Sequence, residues 1–290
     1  MAFFRAIPNR IRLYWPLIKS LQTGLLLSTG LAGYMSGRCP VIYWQTLVAL
    51  AGSLALSISG STVLNMVYDR DIDAMMKRTA RRPLPVGLIR PGEALALGLA
   101  LSGIGVGWAL LLSPLYGALV FAGLFFDVVI YTMWLKRRTP YSILIGGLSG
   151  GMPALAGRTL AIGHVDWLGI LLALAVLFWI PTHIMTFSIT HDSDYRRARI
   201  PTFPLKYGVS MTRAIVALCS VIAAGAMGAV ALGIGMSWGY IRLLAVLSAG
   251  LLLLAIVSII RPSERLNYGL FKYASLYMLS TMVLLALEGL

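Results

Sequence analysis

Residues 41–85 read VIYWQTLVALAGSLALSISGSTVLNMVYDRDIDAMMKRTARRPLP, a long apolar run that passes without a turn signal into a stretch dense with charge. Asn65, Asp69 and Asp73 stand four residues apart at the junction, in a chain with only ten acidic residues. On a helix that spacing stacks three oxygen-bearing side chains near one face. Successive members lie roughly 6 Å apart along the axis, so two ionised carboxylates there repel by about 3 kcal/mol at an effective dielectric near 20. Something positive must offset this. Two readings do so: a hard divalent cation such as Mg²⁺, which takes oxygen ligands and leaves room for phosphate, or a solvated helix end whose acids pair with Arg70, Lys77 and Arg78.

The apolar run has counterparts along the whole chain. With 59% hydrophobic and 12% charged residues and a mean hydropathy of +0.84, the sequence describes an all-α polytopic membrane bundle. Nine candidate spans follow, near 17–37, 41–68, 93–112, 115–135, 141–162, 167–189, 211–234, 238–260 and 271–289, in a single transmembrane domain over 1–290. Strand alternation is absent, which argues against a barrel. The net charge of +14 invites a nucleic-acid reading, but its placement is topological. With a cytoplasmic N-terminus, 21 of the 24 Lys and Arg residues fall on the cytoplasmic side, Arg5, Arg10, Arg12 and Lys19 among them, and only Arg38, Arg158 and Arg242 on the other. No nucleic acid is needed to explain the charge. MAFFRAIPNRIRLYWP lacks the apolar core of a cleavable signal, and a multi-pass protein of a bacterial or archaeal plasma membrane is the simplest expectation. Cys39 and Cys219 are far apart in sequence and fit no metal or redox spacing.

The loops divide by character. Connections on the outer side are short or bland, whereas those after spans 2, 4 and 6 carry most of the polar residues and are expected to open onto one cytoplasmic face. The third reads ITHDSDYRRARIPTFPLKYG and brings Asp192 and Asp194 beside Tyr195, Arg196 and Arg197. Two acidic patches on one face can hold metal ions that bridge a diphosphate; the alternative is a charged loop kept in water by its own ion pairs. Lys136, Arg137 and Arg138 follow Tyr131 at the end of span 4. They read as stop-transfer anchors and equally as takers of diphosphate charge, as do Arg78 and Arg82. Asp127 lies inside an apolar span, which makes it a candidate for a wet cavity or a protonated structural acid. His183 follows Pro181 and is either a metal or haem-iron ligand or a histidine bonded to a neighbouring helix.

At this point the chain resembles the UbiA-type intramembrane prenyltransferases, and within them the branch of protohaem IX farnesyltransferases. The first motif is similar to the family's Asn-x-x-x-Asp-x-x-x-Asp signature, and its continuation through Met76, Arg78, Thr79, Arg82, Pro83 and Leu84 to the M-x-R-T-x-x-R-P-L of the haem branch. YTMWLKRRTPYSILIGGLSGGMPALAG and the run from Asp194-Tyr195 to Ile200-Pro201 and Pro204 resemble two further segments of that branch. The likeness spans about 15–210. It departs on the acceptor side: Pro181-Thr182-His183-Ile184-Met185 replaces a P-P-H-F-W run, Asp127 an aromatic, and Gly157-Arg158 a G-W. The resemblance implies Mg²⁺-dependent transfer of a farnesyl group from farnesyl diphosphate to a vinyl group of protohaem (haem B) within membrane lipid. It implies catalytic roles for Asp69, Asp73, Asp194 and Lys136, with metal held by Asn65, Asp69, Asp73 and Asp194 and Asp192 as an extra ligand. Arg78, Arg82, Lys136 and Arg137 would meet the diphosphate, and Tyr131, Asp127 and His183 the organic substrates. Prenylation of a quinone precursor or a glycerol-phosphate lipid stays open, with an anion transporter as the reading from another class.

Overall fold

A computed structural model describes residues 12–38 and 43–289; Arg5, Arg10 and Cys39 lie outside them. The described residues are helical and contain no strand. Helix α1 is Ser20–Met35, α2 Trp44–Tyr68, α3 the single turn-and-a-half Arg70–Met75, and α4 Pro91–Leu112. Then come α5, Pro114–Leu135, α6, Ser142–Ile162, α7, Trp167–Thr190, and the short α8, Asp192–Arg197. Helices α9, Phe203–Gly233, α10, Trp238–Ile260, and α11, Glu264–Glu288, complete the chain. Seven of these, α2, α4, α5, α7, α9, α10 and α11, are long and apolar enough to cross a membrane. Helices α1, of 16 residues, and α6, which buries Arg158, occupy the other two expected spans and fall short of that measure.

Helices α1 and α6 approach each other closely because both are rich in glycine. A Cβ on Gly157 would sit 1.9 Å from the Gly30 carbonyl oxygen, and one on Gly33 2.1 Å from that of Ala154, so neither position has room for a side chain. Apolar residues of α1, α2, α4, α5 and α6 form one core cluster, and those of α1, α6, α7, α9, α10 and α11 a larger one. A third, small cluster matters most for the site. Ile72 of α3 and Met76 just after it pack on Ala198 and Ile200 after α8, with Tyr195 against them, and so join the segments after α2 and α7.

Two local departures from regular helix shape the charged end. Residues Phe126–Leu135, the last part of α5, are wound as a π-helix, so that Lys136 N–H reaches back to the Tyr131 carbonyl at 2.8 Å. At the start of α9, Gly208 breaks the helix with φ 83° and ψ 163°, a conformation that glycine adopts without Cβ strain. At the opposite end Arg158 ties three elements together. It forms two bonds with Asp166, both near the N-terminus of α7, at 2.8 and 2.7 Å. It also donates to the Ser36 carbonyl at 2.7 Å.

Candidate active site

Helix α2 ends at Asp69, yet the four-residue ladder continues across the break. Asp69 N–H donates to the Asn65 carbonyl at 2.9 Å and Asp73 N–H to that of Asp69 at 2.8 Å. The backbone thus keeps the four-residue repeat through the break, and Asn65, Asp69 and Asp73 are all buried. Each meets a different partner. Asn65 is held at both ends of its amide, donating to Asp127 at 2.8 Å and accepting from Thr132 at 2.9 Å. Lys136 pairs with Asp69 Oδ2, and Arg82 with Asp73 Oδ2 at 2.7 Å. The Lys136 ammonium is held above its ordinary pKa: burial pulls it down, but Tyr131 and the Asp69 carboxylate more than offset that.

The loops after α2, α5 and α7 do converge. Asp194, buried, accepts from the backbone N–H groups of Lys77 at 3.0 Å and Arg78 at 3.4 Å. Its carboxylate therefore fixes the fold of the first loop. Arg137 clamps Asp71 with two bonds of 2.7 Å, and this guanidinium holds the Asp71 carboxyl below the usual range. It also donates to the Tyr68 carbonyl at 2.8 Å, so Arg137 joins loops rather than standing free. Arg78 has no ion-pair partner among the described residues and lies 5.0 Å over the Phe187 ring. Asp192 is the expected residue that the fold leaves outside, at the surface and paired with Arg196 at 3.1 Å.

Among the described residues no three His, Cys, Asp or Glu side chains converge on a common ion position. The donor set nevertheless suits a hard cation. Asp69 Oδ1 is buried without a hydrogen bond and has only the Arg137 guanidinium at 3.9 Å, which leaves a lone pair that an ion can take. The Asn65 carbonyl oxygen keeps a second lone pair beyond Thr132.

Beneath this crown lies a cavity of about 700 Å³, lined by α1, α2, α5, α6, α7 and α11. Its walls are mostly aliphatic and aromatic, including Leu54, Ile58, Pro153, Trp179, Ile180 and Phe271. Asp127, Tyr131 and His183 all line it. Asp127 is not an isolated acid, because Ser61 and Asn65 both donate to its Oδ2. Tyr131 packs where a Cβ on Gly146 would come within 2.6 Å of its ring. His183 is stacked between Trp179 and Phe271 at 5.1 and 4.5 Å. Its Nδ1 lies 3.1 Å from Ser275 Oγ, so it both lines the cavity and bonds to a neighbouring helix. Sequence reading passed over Lys19, which sits left-handed at φ 43° within electrostatic reach of Arg82, Lys136, Asp127 and Asp73. Its position just before α1 marked it only as a topological charge.

A membrane bundle with acids and cations gathered at one end of an apolar cavity is the arrangement of an enzyme that ionises a lipid-tailed anion. The sequence pattern of the UbiA prenyltransferase family matches residues 26–279, and the chain belongs to that family. A "Protoheme IX farnesyltransferase" of Archaeoglobus fulgidus is 46% identical over 191 residues, 66% of this chain and 67% of the relative. A protein of the same name from Pyrobaculum neutrophilum is 36% identical over 275 residues, covering 94% and 98%. Two solved structures share the fold. A digeranylgeranylglyceryl phosphate synthase superposes with a TM-score of 0.79 at 18% identity, over 97% of this chain and 99% of its own. A UbiA homologue from Archaeoglobus fulgidus bound to GPP and Mg²⁺ gives 0.71 at 17%, over 94% and 99%. The chain is thus an integral membrane protein of a prenyltransferase family.

Proposed function

We propose that the protein transfers a farnesyl group from farnesyl diphosphate to a vinyl group of protohaem IX, with Mg²⁺ as its metal and the charged end facing the cytoplasm of a plasma membrane. One observation carries the reading: Asp127 and Tyr131 belong at once to the apolar cavity and to the polar crown, through Asn65 and Lys136. The bond to be broken, between an apolar tail and a diphosphate, belongs at that boundary. The name carried by the relatives supplies the acceptor.

Asn65, Asp69 and Asp73 would hold the metal, with Asp194 completing the set from the facing loop. Bound there, it supplies positive charge to the diphosphate as the allylic C–O bond breaks. Lys136 and Arg82, paired with Asp69 and Asp73 in this structure, turn to the incoming phosphate oxygens and release those carboxylates for the ion. Arg78, without an acid of its own, takes further leaving-group charge. The cavity walls keep water from the allylic cation until a vinyl carbon of the acceptor attacks it, the vinyl π pair becoming the new C–C bond; the cation left on the vinyl carbon next to the macrocycle is then discharged by addition of a water molecule, which gives up a proton. Diphosphate release tests the assignment. Protohaem should stimulate it, whereas a quinone-ring precursor or a glycerol-phosphate lipid offered separately should not; stimulation by either of these instead would move the acceptor to that class.

A further inference from the structure

Among the residues that line the cavity there is one acid, Asp127, and one cation, Lys272. The acid is already satisfied by Ser61 and Asn65. The cation is not: among the described residues Lys272 has no salt bridge, and its Nζ rests 4.6 Å over the Tyr268 ring. Lys272 is nine residues into α11, about 12 Å from its start at 1.5 Å per residue. A lysine at the edge of an otherwise apolar cavity in a membrane bundle is a candidate to meet an anion. It lines the cavity yet is exposed, which puts it at the rim with its stem on the wall and its ammonium free to turn.

Its neighbours belong to the cavity wall. Phe271 precedes it, Ser275 follows at i+3, and the stack of Trp179, His183 and Phe271 has interplanar angles of 17° and 23°. The three rings cover one another's faces, so the stack bounds one side of the apolar cavity. The cations that serve a diphosphate, Lys136, Arg82 and Arg78, are absent from the cavity lining, so Lys272 answers to a different anion. We propose that Lys272 determines acceptor specificity by pairing with a carboxylate of the acceptor, a propionate of protohaem, while the macrocycle occupies the apolar cavity beside it. The proposal rests on the protohaem reading above.

Binding of protohaem and of its dimethyl ester, which lacks the propionate charges, is compared on the purified full-length protein in detergent. The wild type is expected to prefer the acid by about tenfold, the size of a partly desolvated charge pair. Lys272→Met should abolish the preference by weakening protohaem alone, with the ester and farnesyl diphosphate bound as before, and Lys272→Arg should restore it. Equal loss for acid and ester, a preference that survives in Lys272→Met, or weakened farnesyl diphosphate binding would each overturn the role of Lys272. A wild type that binds farnesyl diphosphate but neither haem form would overturn the protohaem reading itself and the proposal with it.

Discussion

Asp69 combines three properties that set it apart from the other acids: burial, a lysine on one oxygen and no hydrogen bond on the other. Its replacement by alanine removes charge at the end of α2 rather than a packing contact. Asp69→Ala and Asp73→Ala are expected to lower turnover at saturating Mg²⁺ by at least 10²–10³-fold, on the order of the loss of an electrostatic catalytic group, with the fold retained but a lower Tm, because Lys136 and Arg82 lose their carboxylate partners. A variant near wild-type activity at limiting Mg²⁺ would remove the residue from the metal site. Asp192→Ala, at a solvated i,i+4 pair, should change activity by less than about threefold, since such pairs contribute little. Arg78→Ala and Arg82→Ala should raise the Kd of farnesyl diphosphate about tenfold or more, as charge-assisted bonds do, and leave protohaem binding nearly unchanged; equal losses for both would indicate a folding defect. At this scale the first motif is legible in sequence because its partners are four residues apart on one helix. The links from Asn65 to Asp127 and Thr132 are not, because they cross to another helix 62 and 67 positions away.

Helices α1, α6 and α7 meet at Arg158, whose departure from the family's pattern the structure explains as a latch. Its side chain is 8% exposed and pairs with Asp166, so Arg158→Leu strands a carboxylate and should destabilise the protein by about 3 kcal/mol, read as a lower Tm. The Arg158 guanidinium holds the Asp166 carboxyl below its ordinary range. A depressed folded pKa stabilises above the unfolded value near 4, and that contribution fades as pH falls through the folded value. The Tm gap between wild type and Arg158→Leu should therefore be full at pH 6–7 and narrow below about pH 4; a gap independent of pH would show that the loss is packing alone. The long apolar helices are readable from hydropathy, but α9 and α11 begin at Phe203 and Glu264 rather than at the expected 211 and 271, because their first turns carry polar and charged residues that hydropathy assigns to loops. The π-wound end of α5 is not readable, since FDVVIYTMWL is an ordinary apolar run and only its contacts with α2 and α6 select the wider winding.

Across the whole molecule, the loops after α2, α5 and α7 share one end, as the charge asymmetry led one to expect. Pairwise contacts such as Lys136 with Asp69 and Asp194 with the Lys77 amide bring them together. Single-cysteine variants near 75, 138 and 197 should label from the cytoplasmic side and one at 164 from the other; opposite-side labelling of any two of the first three would contradict the shared face. The cavity itself was illegible in sequence, because its walls come from six helices and its one unpaired cation, Lys272, reads from sequence as another cytoplasmic positive charge. The central claim is that the crown ionises farnesyl diphosphate above a cavity that presents a haem vinyl group. Its most direct test is mass spectrometry of the haem recovered after purified protein is incubated with Mg²⁺, farnesyl diphosphate and protohaem. The account predicts a haem product heavier by a farnesyl-derived group, formed by wild type and not by Asp69→Ala or in chelator. Unmodified protohaem from a preparation that consumes farnesyl diphosphate with another acceptor would contradict it.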